Sequence, residues 1–425
     1  MTDEALMDRL QQAAFGYFLG AFNPANGLVA DNSRTGSPCS IAVVGFALST
    51  YPVAVERGWI KREKAAERAL ASLRFFHDSD QSGADDATGH KGFYYHFLDM
   101  ESGTRVWRSE LSTIDTALLI LGALLAAQYF SGDTDAEREV RELAKALYLR
   151  VDWHWAADGK STIRLGWKPE CGFLHYGWDG YDEGILVYVL AAGSPTHPVD
   201  VSHYRAWTAT YQWECLYGEE FLYAAPLFVH LFSHAWIDFR GIADAFMRGK
   251  GSDYFQNTRR AIAVQRKYAW LNPHGFSGYD RDCWGLTAGD GPDGNTPALA
   301  DPMWRLYGYA ARGVPYGPDD GTLSGWLGLA CLPFEPDIAM AATRTFLDRY
   351  PQILVNDQFA SSINPSVEDS GGTPWISQGV FGLDQGLVVM MVENHRTGLV
   401  WQLMRECTYL RDGLHNTGFS QGWLA

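Results

Sequence analysis

Residues Leu111 to Phe130 are apolar almost all the way round a helix, and Thr134 to Val151, directly after them, are charged on one face and apolar on the other. A helix without a polar face has to be enclosed on every side, whereas its amphipathic successor has one face for a core and one for water. The pair predicts an inner helix followed by an outer one. The pattern recurs along the chain. Leu6, Leu10, Ala14 and Tyr17 fall at helical spacing, Ser37-Pro38 opens an apolar stretch through Val55 with Ser as cap and Pro at the first helical position, and Lys61 to His77 is amphipathic.

Further helical stretches are predicted at Glu183–Ala192, Pro226–Trp236, Asp253–Leu271, Leu323–Leu332, Pro336–Tyr350, Gln385–His395 and Leu399–Cys407. With smaller ones the total is about twelve, the number that an inner and an outer ring of six would need. Strand-like runs, Phe93–Leu98 with Arg105–Trp107, Ile163–Trp167 with Gly172–Tyr176, and Ile353–Phe359 with Ile363, predict short hairpins between helices and no large sheet. The connections Gly83–Lys91, Asn272–Pro297 and Ser366–Gln378 collect Gly, Pro, Asp and Trp, and loops of this kind carry function on a rigid scaffold. No linker divides the 425 residues, so one domain over 1–425 is expected.

A net charge of −16 repels phosphate backbones and anionic lipid, which argues against nucleic-acid and membrane partners. The chain carries 16 Trp, 21 Tyr and 22 Phe, rings that serve either a core or a sugar-stacking cleft. Cys39, Cys171, Cys215, Cys283, Cys331 and Cys407 are widely spaced and read as free thiols, with no metal-ligand clustering. The N-terminal residues read as an amphipathic helix rather than a leader, so a cytoplasmic location is expected, or a periplasmic one if a leader has been removed.

Three constellations carry acids to the start of an apolar helix. In Gly177-Trp178-Asp179-Gly180-Tyr181-Asp182-Glu183-Gly184, Asp182 and Glu183 either cap the following helix or supply the carboxylates of glycoside hydrolysis beside the aromatic platforms Trp178 and Tyr181. In Ser109-Glu110-Leu111-Ser112-Thr113-Ile114-Asp115, the serines and Glu110 read as a cap, whereas Asp115 would lie inside an apolar helix, where an unpaired charge is costly. Asp384 opens the third helix, as N-cap or as a functional acid. His230 and His234 have HxxxH spacing, but Leu231 stands where a zinc protease has Glu, so they read as packing or substrate contacts. Asp290-Gly291-Pro292-Asp293-Gly294-Asn295 lacks the downstream Glu of a calcium loop and reads as consecutive turns. The absence of a GxSxG elbow, a P-loop and a dinucleotide-type turn argues against esterase, kinase and dehydrogenase classes.

The strings GWDGYDEGILVYVLAAGSPTHPV, FSHAWIDFRG, SDYFQNTRRAI, CWGLTAGDGP and VMMVENHRTGLVW, in this order between about Ser109 and Trp401, resemble the bacterial glycoamylase-like family. That family is related to the endo-β-1,2-glucanases of glycoside hydrolase family 144 and to the cyclisation domain of cyclic β-1,2-glucan synthases. The resemblance implies an all-α (α/α)6 barrel with short β-hairpins and long loops around an acidic cleft, a glycoside hydrolase acting on β-1,2-glucan or its oligosaccharides, and no cofactor or metal. It gives Glu183 the role of general acid and Asp384, or else Asp115, that of base, with inversion expected. Glu110, Trp167, Trp178, Tyr181, Asp182, Trp213, His234, Trp236, Arg240 and Trp284 are then expected to bind sugar. A chain without a leader would favour exo action on short chains. Three alternatives stay open: a retaining transglycosylase with closely spaced carboxylates, a sugar isomerase or epimerase with paired cleft histidines, and a non-catalytic glucan-binding protein.

Overall fold

The apolar run after Leu111 does form an inner helix, and what encloses it is a ring of others. The computed structural model describes residues 1–292, 308–368 and 371–425. Its helices are α1 (Asp3–Gly20), α2 (Ile41–Glu56), α3 (Arg62–Asp78), α4 (Thr113–Tyr129), α5 (Asp135–Arg150), α6 (Trp153–Ala156), α7 (Ile185–Gly193), α8 (Val201–Thr208), α9 (Phe232–Trp236), α10 (Ala245–Gly249), α11 (Tyr254–Leu271), α12 (Leu327–Ala330), α13 (Pro336–Arg349), α14 (Gly382–Arg396), α15 (Leu399–Arg405) and α16 (Thr408–Asn416).

Burial sorts them into two rings. All nine residues of α7, all five of α9, all four of α12 and the whole of α2 from Ile41 to Ala54 are buried. In α5, by contrast, only Glu137, Val140, Ala144, Leu147 and Tyr148 are. Taken in chain order, α1, α3, α5, α8, α11 and α13 are outer helices, each followed by an inner one, α2, α4, α7, α9, α12 and α14, which is the (α/α)6 arrangement. The inner helices α2 and α4 approach so closely that a Cβ on Gly122 would lie 2.1 Å from the carbonyl oxygen of Gly45. The ring closes where α1 packs on α14. There the Gln11 amide donates to Val389 O at 3.0 Å and to Glu393 Oε2 at 3.1 Å, across 382 residues of sequence in the second case.

Short hairpins form between helices as expected, Leu354–Val355 with Gln358–Phe359 among them, but several of the strands also combine. Gly89–His90, Phe93–Tyr95, Leu111–Ser112, Gly166–Lys168 and Gly172–Phe173 join in that order as a five-stranded antiparallel sheet beside the start of α4. Each strand has only two or three residues, so no alternation long enough to read exists in the sequence. Other boundaries shift as well. The second helix begins at Ile41 with Ser40 before it, because Cys39–Ser40 pairs with Phe97–Leu98 and Pro38 stays outside. The stretch Pro226–Trp236 divides into a 3-10 turn over Leu227–His230 and α9. The loops Asn272–Pro297 and Ser366–Gln378 lie partly outside the described residues, as do Asp293, Gly294 and Asn295 of the turn-rich run. No helix among the described residues is long and apolar enough to cross a membrane.

Candidate active site

The N-terminal ends of inner helices gather on one face of the ring, and they bring Asp115, Glu183 and Asp384 together. These three line one cavity of about 210 Å3 with His96, Ile114, Leu118, Phe228, Phe232, Ala288, Tyr309, Trp326 and Leu383. Apolar walls around three carboxylates make a site in which ionisation is expensive and charge interactions are strong. A larger groove of about 730 Å3 on the outside, at Ala71, Arg74, Phe75 and Asp80, holds none of the three acids.

Glu183 lies in the turn before α7, which starts at Ile185 with Gly184 as its N-cap, so Glu183 is not part of the helix. Burial, reinforced by the charge of Asp115, raises its carboxyl to about 7, while a backbone amide pulls the other way. A glutamic acid that keeps its proton near neutral pH is equipped to donate it. Asp182 is also held well above the ordinary aspartate value, by burial and then by the Glu183 charge, against the Gly184 amide that donates to its Oδ1 at 2.9 Å. Trp178 fixes this turn to α4 through its indole N–H, which donates to Thr113 Oγ1 at 2.9 Å.

Asp115 is not in the middle of its helix but in its first turn. Ser112 is the N-cap: its hydroxyl accepts from the Asp115 amide at 3.1 Å and donates to Asp115 Oδ2 at 2.5 Å. The same Oδ2 is 3.6 Å from His96 Nε2, and His96 Nδ1 is 2.9 Å from Glu110 Oε1. Burial disfavours the imidazolium, but Asp115, Glu110 and Asp31 outweigh it and raise His96 to about 9. His96 is thus a cation between two acids. The ligand atoms of His96, Glu110 and Asp115 lie within 4.8 Å of one another, close enough for a divalent cation to bridge. A proton on His96 already supplies the positive charge that such an ion would bring.

Asp384 is the third residue of α14, whose N-cap is Phe381, so it is not itself the cap. It is 7% exposed, and its Oδ2 has no hydrogen-bond partner among the described residues. Burial, then the charges of Asp31 and Asp290, push its carboxyl well up, with the Ser361 hydroxyl opposing. Nearby, Asp290 pairs with Arg34 and accepts from Ser377 Oγ at 2.7 Å.

The other expected sugar ligands divide. Glu110 reaches the cavity through His96, and Tyr181 is buried against Tyr254, ring centroids 5.6 Å apart, with no partner for its hydroxyl among the described residues. Trp167 sits on the five-stranded sheet, stacked on His90 at 5.4 Å, and Trp213 carries the Lys250 ammonium over its ring at 5.0 Å. His234, Trp236 and Trp284, expected along the cleft, are instead core residues with at most 1% exposure. His234 shares a hydrogen bond of 3.0 Å with Thr258, and the Trp236 indole donates to Ser49 Oγ at 3.0 Å. Arg240 pairs with Asp238 and covers Trp401. This places it at the other end of the ring. Asn394, whose amide donates to Ala235 O, is about 15 Å along the α14 axis from Asp384. Sequence reasoning missed His96, whose one signal was a polar residue inside the aromatic run Phe93–Leu98.

The chain is similar to known proteins along nearly its whole length. The profile of the Glycoamylase family, described as "Putative glucoamylase", matches residues 175–408. Over 97% of its length the chain is 26% identical to an exo β-1,2-glucooligosaccharide sophorohydrolase (non-reducing end) of Parabacteroides distasonis. It spans only 58% of that longer protein. Among solved structures, one from Bacteroides uniformis with the same description as the family superimposes with a TM-score of 0.88 at 27% identity, covering 100% of this chain and 99% of the other. The endo-β-1,2-glucanase of Chitinophaga pinensis, solved with sophorotriose and glucose, shares the fold with a TM-score of 0.84 at 24% identity and full coverage of both chains. Matched by the family profile over more than half of its length, the chain belongs to the Glycoamylase family.

Proposed function

We propose that this chain is a glycoside hydrolase that cleaves β-1,2-linked gluco-oligosaccharides or β-1,2-glucan, with Glu183 as general acid. The observation that carries the proposal is the convergence of Glu183, raised to about 7, with Asp115 and Asp384 in one cavity. Hydrolysis needs one carboxyl that holds a proton and one that is ionised, and unequal surroundings are how a site separates the two. The Parabacteroides distasonis relative named above is a β-1,2-glucooligosaccharide sophorohydrolase, which supports that linkage.

Asp384 is the first choice as base, activating water directly or through a substrate hydroxyl, with inversion of the anomeric centre. Burial and its acidic neighbours favour the protonated form of Asp384, so its ionised fraction grows with pH while that of protonated Glu183 falls. Turnover should then follow a narrow bell in pH. Asp115 is the second choice. An isomerase would need paired histidines, and His96 is the one histidine among the described residues lining the cavity.

The test incubates the purified protein with linear β-1,2-glucan, sophoro-oligosaccharides and cyclic β-1,2-glucan and follows products by chromatography and proton NMR. Cleavage that Glu183→Gln lowers by about a thousandfold is expected, and the first-formed anomer distinguishes inversion from retention. Unimpaired turnover by Glu183→Gln would sink the assignment.

A further inference from the structure

A line of aromatic rings leads out of the cavity to the surface. His96, in the cavity wall, is stacked on Phe97 with ring centroids 3.9 Å apart and planes at 12°, and Phe97 in turn meets Trp107 at 5.1 Å. Two such contacts put the indole no more than about 9 Å from the imidazole. Yet Trp107 is 68% exposed, which is unusual for so large an apolar side chain when every other described tryptophan but Trp270 is buried or partly buried.

Its backbone is stranger still. Trp107 and Arg108 have φ of 56° and 49°, two successive non-glycine residues in the left-handed region. A turn that needs this conformation is ordinarily filled by Asn-Gly or Gly-Gly, which adopt it with little strain. Trp-Arg persists here because the loop is over-determined. The Arg105 side chain, 2% exposed, donates to Ser109 O at 2.6 Å and forms a two-pronged pair with Glu170 at 2.9 and 3.1 Å, and Arg108 Nε joins the same carboxylate at 3.1 Å. Val106 N donates to Phe97 O at 3.1 Å, holding the turn against the short strand Phe97–Leu98 that directly follows His96. The loop is built to present a flat indole to solvent at the rim of the site, on a backbone conformation that any residue with a Cβ disfavours.

We propose that Trp107 is an outlying sugar-stacking platform, which takes a glucose unit of a chain whose reacting linkage lies at Glu183. This rests on the glucan-hydrolase reading above. It predicts that long chains gain affinity that short ones cannot.

The test is Michaelis kinetics of the full chain on linear β-1,2-linked substrates from trisaccharide to polymer. Trp107→Gly removes the ring while relieving the left-handed strain, so its melting temperature should hold or rise. Its KM for long chains should nonetheless increase about fivefold relative to its KM for the trisaccharide, the usual size of an anchor-residue loss, with the effect in KM rather than kcat. Trp107→Phe, which keeps a flat ring, should recover most of that difference. A KM ratio between long and short chains that Trp107→Gly does not change overturns the assignment alone. Absence of turnover of every β-1,2-linked substrate by the unmodified protein overturns the hydrolase reading, and the platform with it.

Discussion

Gly122 and Gly45 touch backbone to backbone where α4 crosses α2, and neither position has room for a Cβ: one on Gly45 would lie 2.3 Å from Leu118 O. Because the contact is with carbonyls rather than flexible side chains, the helices have to move apart to admit a methyl group. Gly122→Ala should cost about 1–3 kcal/mol of stability, seen as a lower melting temperature. Gly20→Ala, at a position with nothing within 4 Å, should leave melting unchanged or slightly raised.

The pH profile should report Glu183 directly. Its protonated form is the active one, so kcat/KM falls as pH rises through about 7. The Asp115 charge helps to hold Glu183 there, second in strength to burial among the effects that raise it. Removing that charge makes ionisation of Glu183 easier. In Asp115→Asn the alkaline limb should therefore move to lower pH, and a limb that stays in place or moves upward would refute the coupling.

Glycine variants of Asp384 and Asp115 identify the base. Azide is a small nucleophile that can occupy the space left when a base carboxylate is shortened or neutralised. Turnover restored by azide in Asp384→Gly but not in Asp115→Gly would assign the base to Asp384, and the opposite pattern would assign it to Asp115, as read by the appearance of a glucosyl azide in the NMR spectrum.

His96 should make stability depend on pH. Its folded value of about 9 lies above the roughly 6.5 of an unfolded histidine. Its contribution is thus fully present below about 6.5 and is lost as pH rises through about 9. Denaturant melts of the parent and His96→Gln should differ by about 2 kcal/mol at pH 6 and converge by pH 10. Since a protonated imidazole is no metal ligand, dialysis against EDTA should leave turnover at neutral pH within about twofold.

Arg312 and Asp320 form an ion pair in which each side chain is 1% exposed, with contacts of 2.7 and 2.8 Å. Arg312 also donates to Gly289 O at 2.8 Å, next to Ala288 of the cavity wall. Arg312→Met leaves Asp320 buried without its partner and should cost about 3–5 kcal/mol. A calorimetric melt unchanged from the parent would contradict this.

The parts of this protein that could be read from sequence are those whose cause is local. Inner helices such as α4 and α7 show themselves because burial all round removes polar residues at every turn, and Asp115, Glu183 and Asp384 stand out as acids where such helices begin. His96 could not be placed because its role depends on strands of two or three residues that bring it to Glu110 and Asp115 only once the five-stranded sheet has formed. Misplacement of His234, Trp236 and Trp284 has a different origin. An aromatic or histidine residue that packs a core looks, residue by residue, the same as one that stacks on a sugar, and only enclosure separates them.

The hydrogen bonds from Gln11 on α1 to α14 have a consequence for how the molecule comes into being. Asp384 enters the cavity on a helix whose outer neighbour lies far ahead of it in the chain, so α1 has to wait for α14 before it can be covered. Loop closure over so long a stretch is slow, and until it happens the apolar inner helices lie open to other chains. During synthesis the first half of the protein can form its sheet and its early helix pairs, but Asp384 joins the other two acids only once α14 has been made. Activity should then appear all at once on ring closure, and deletion of α1 should abolish it rather than weaken it.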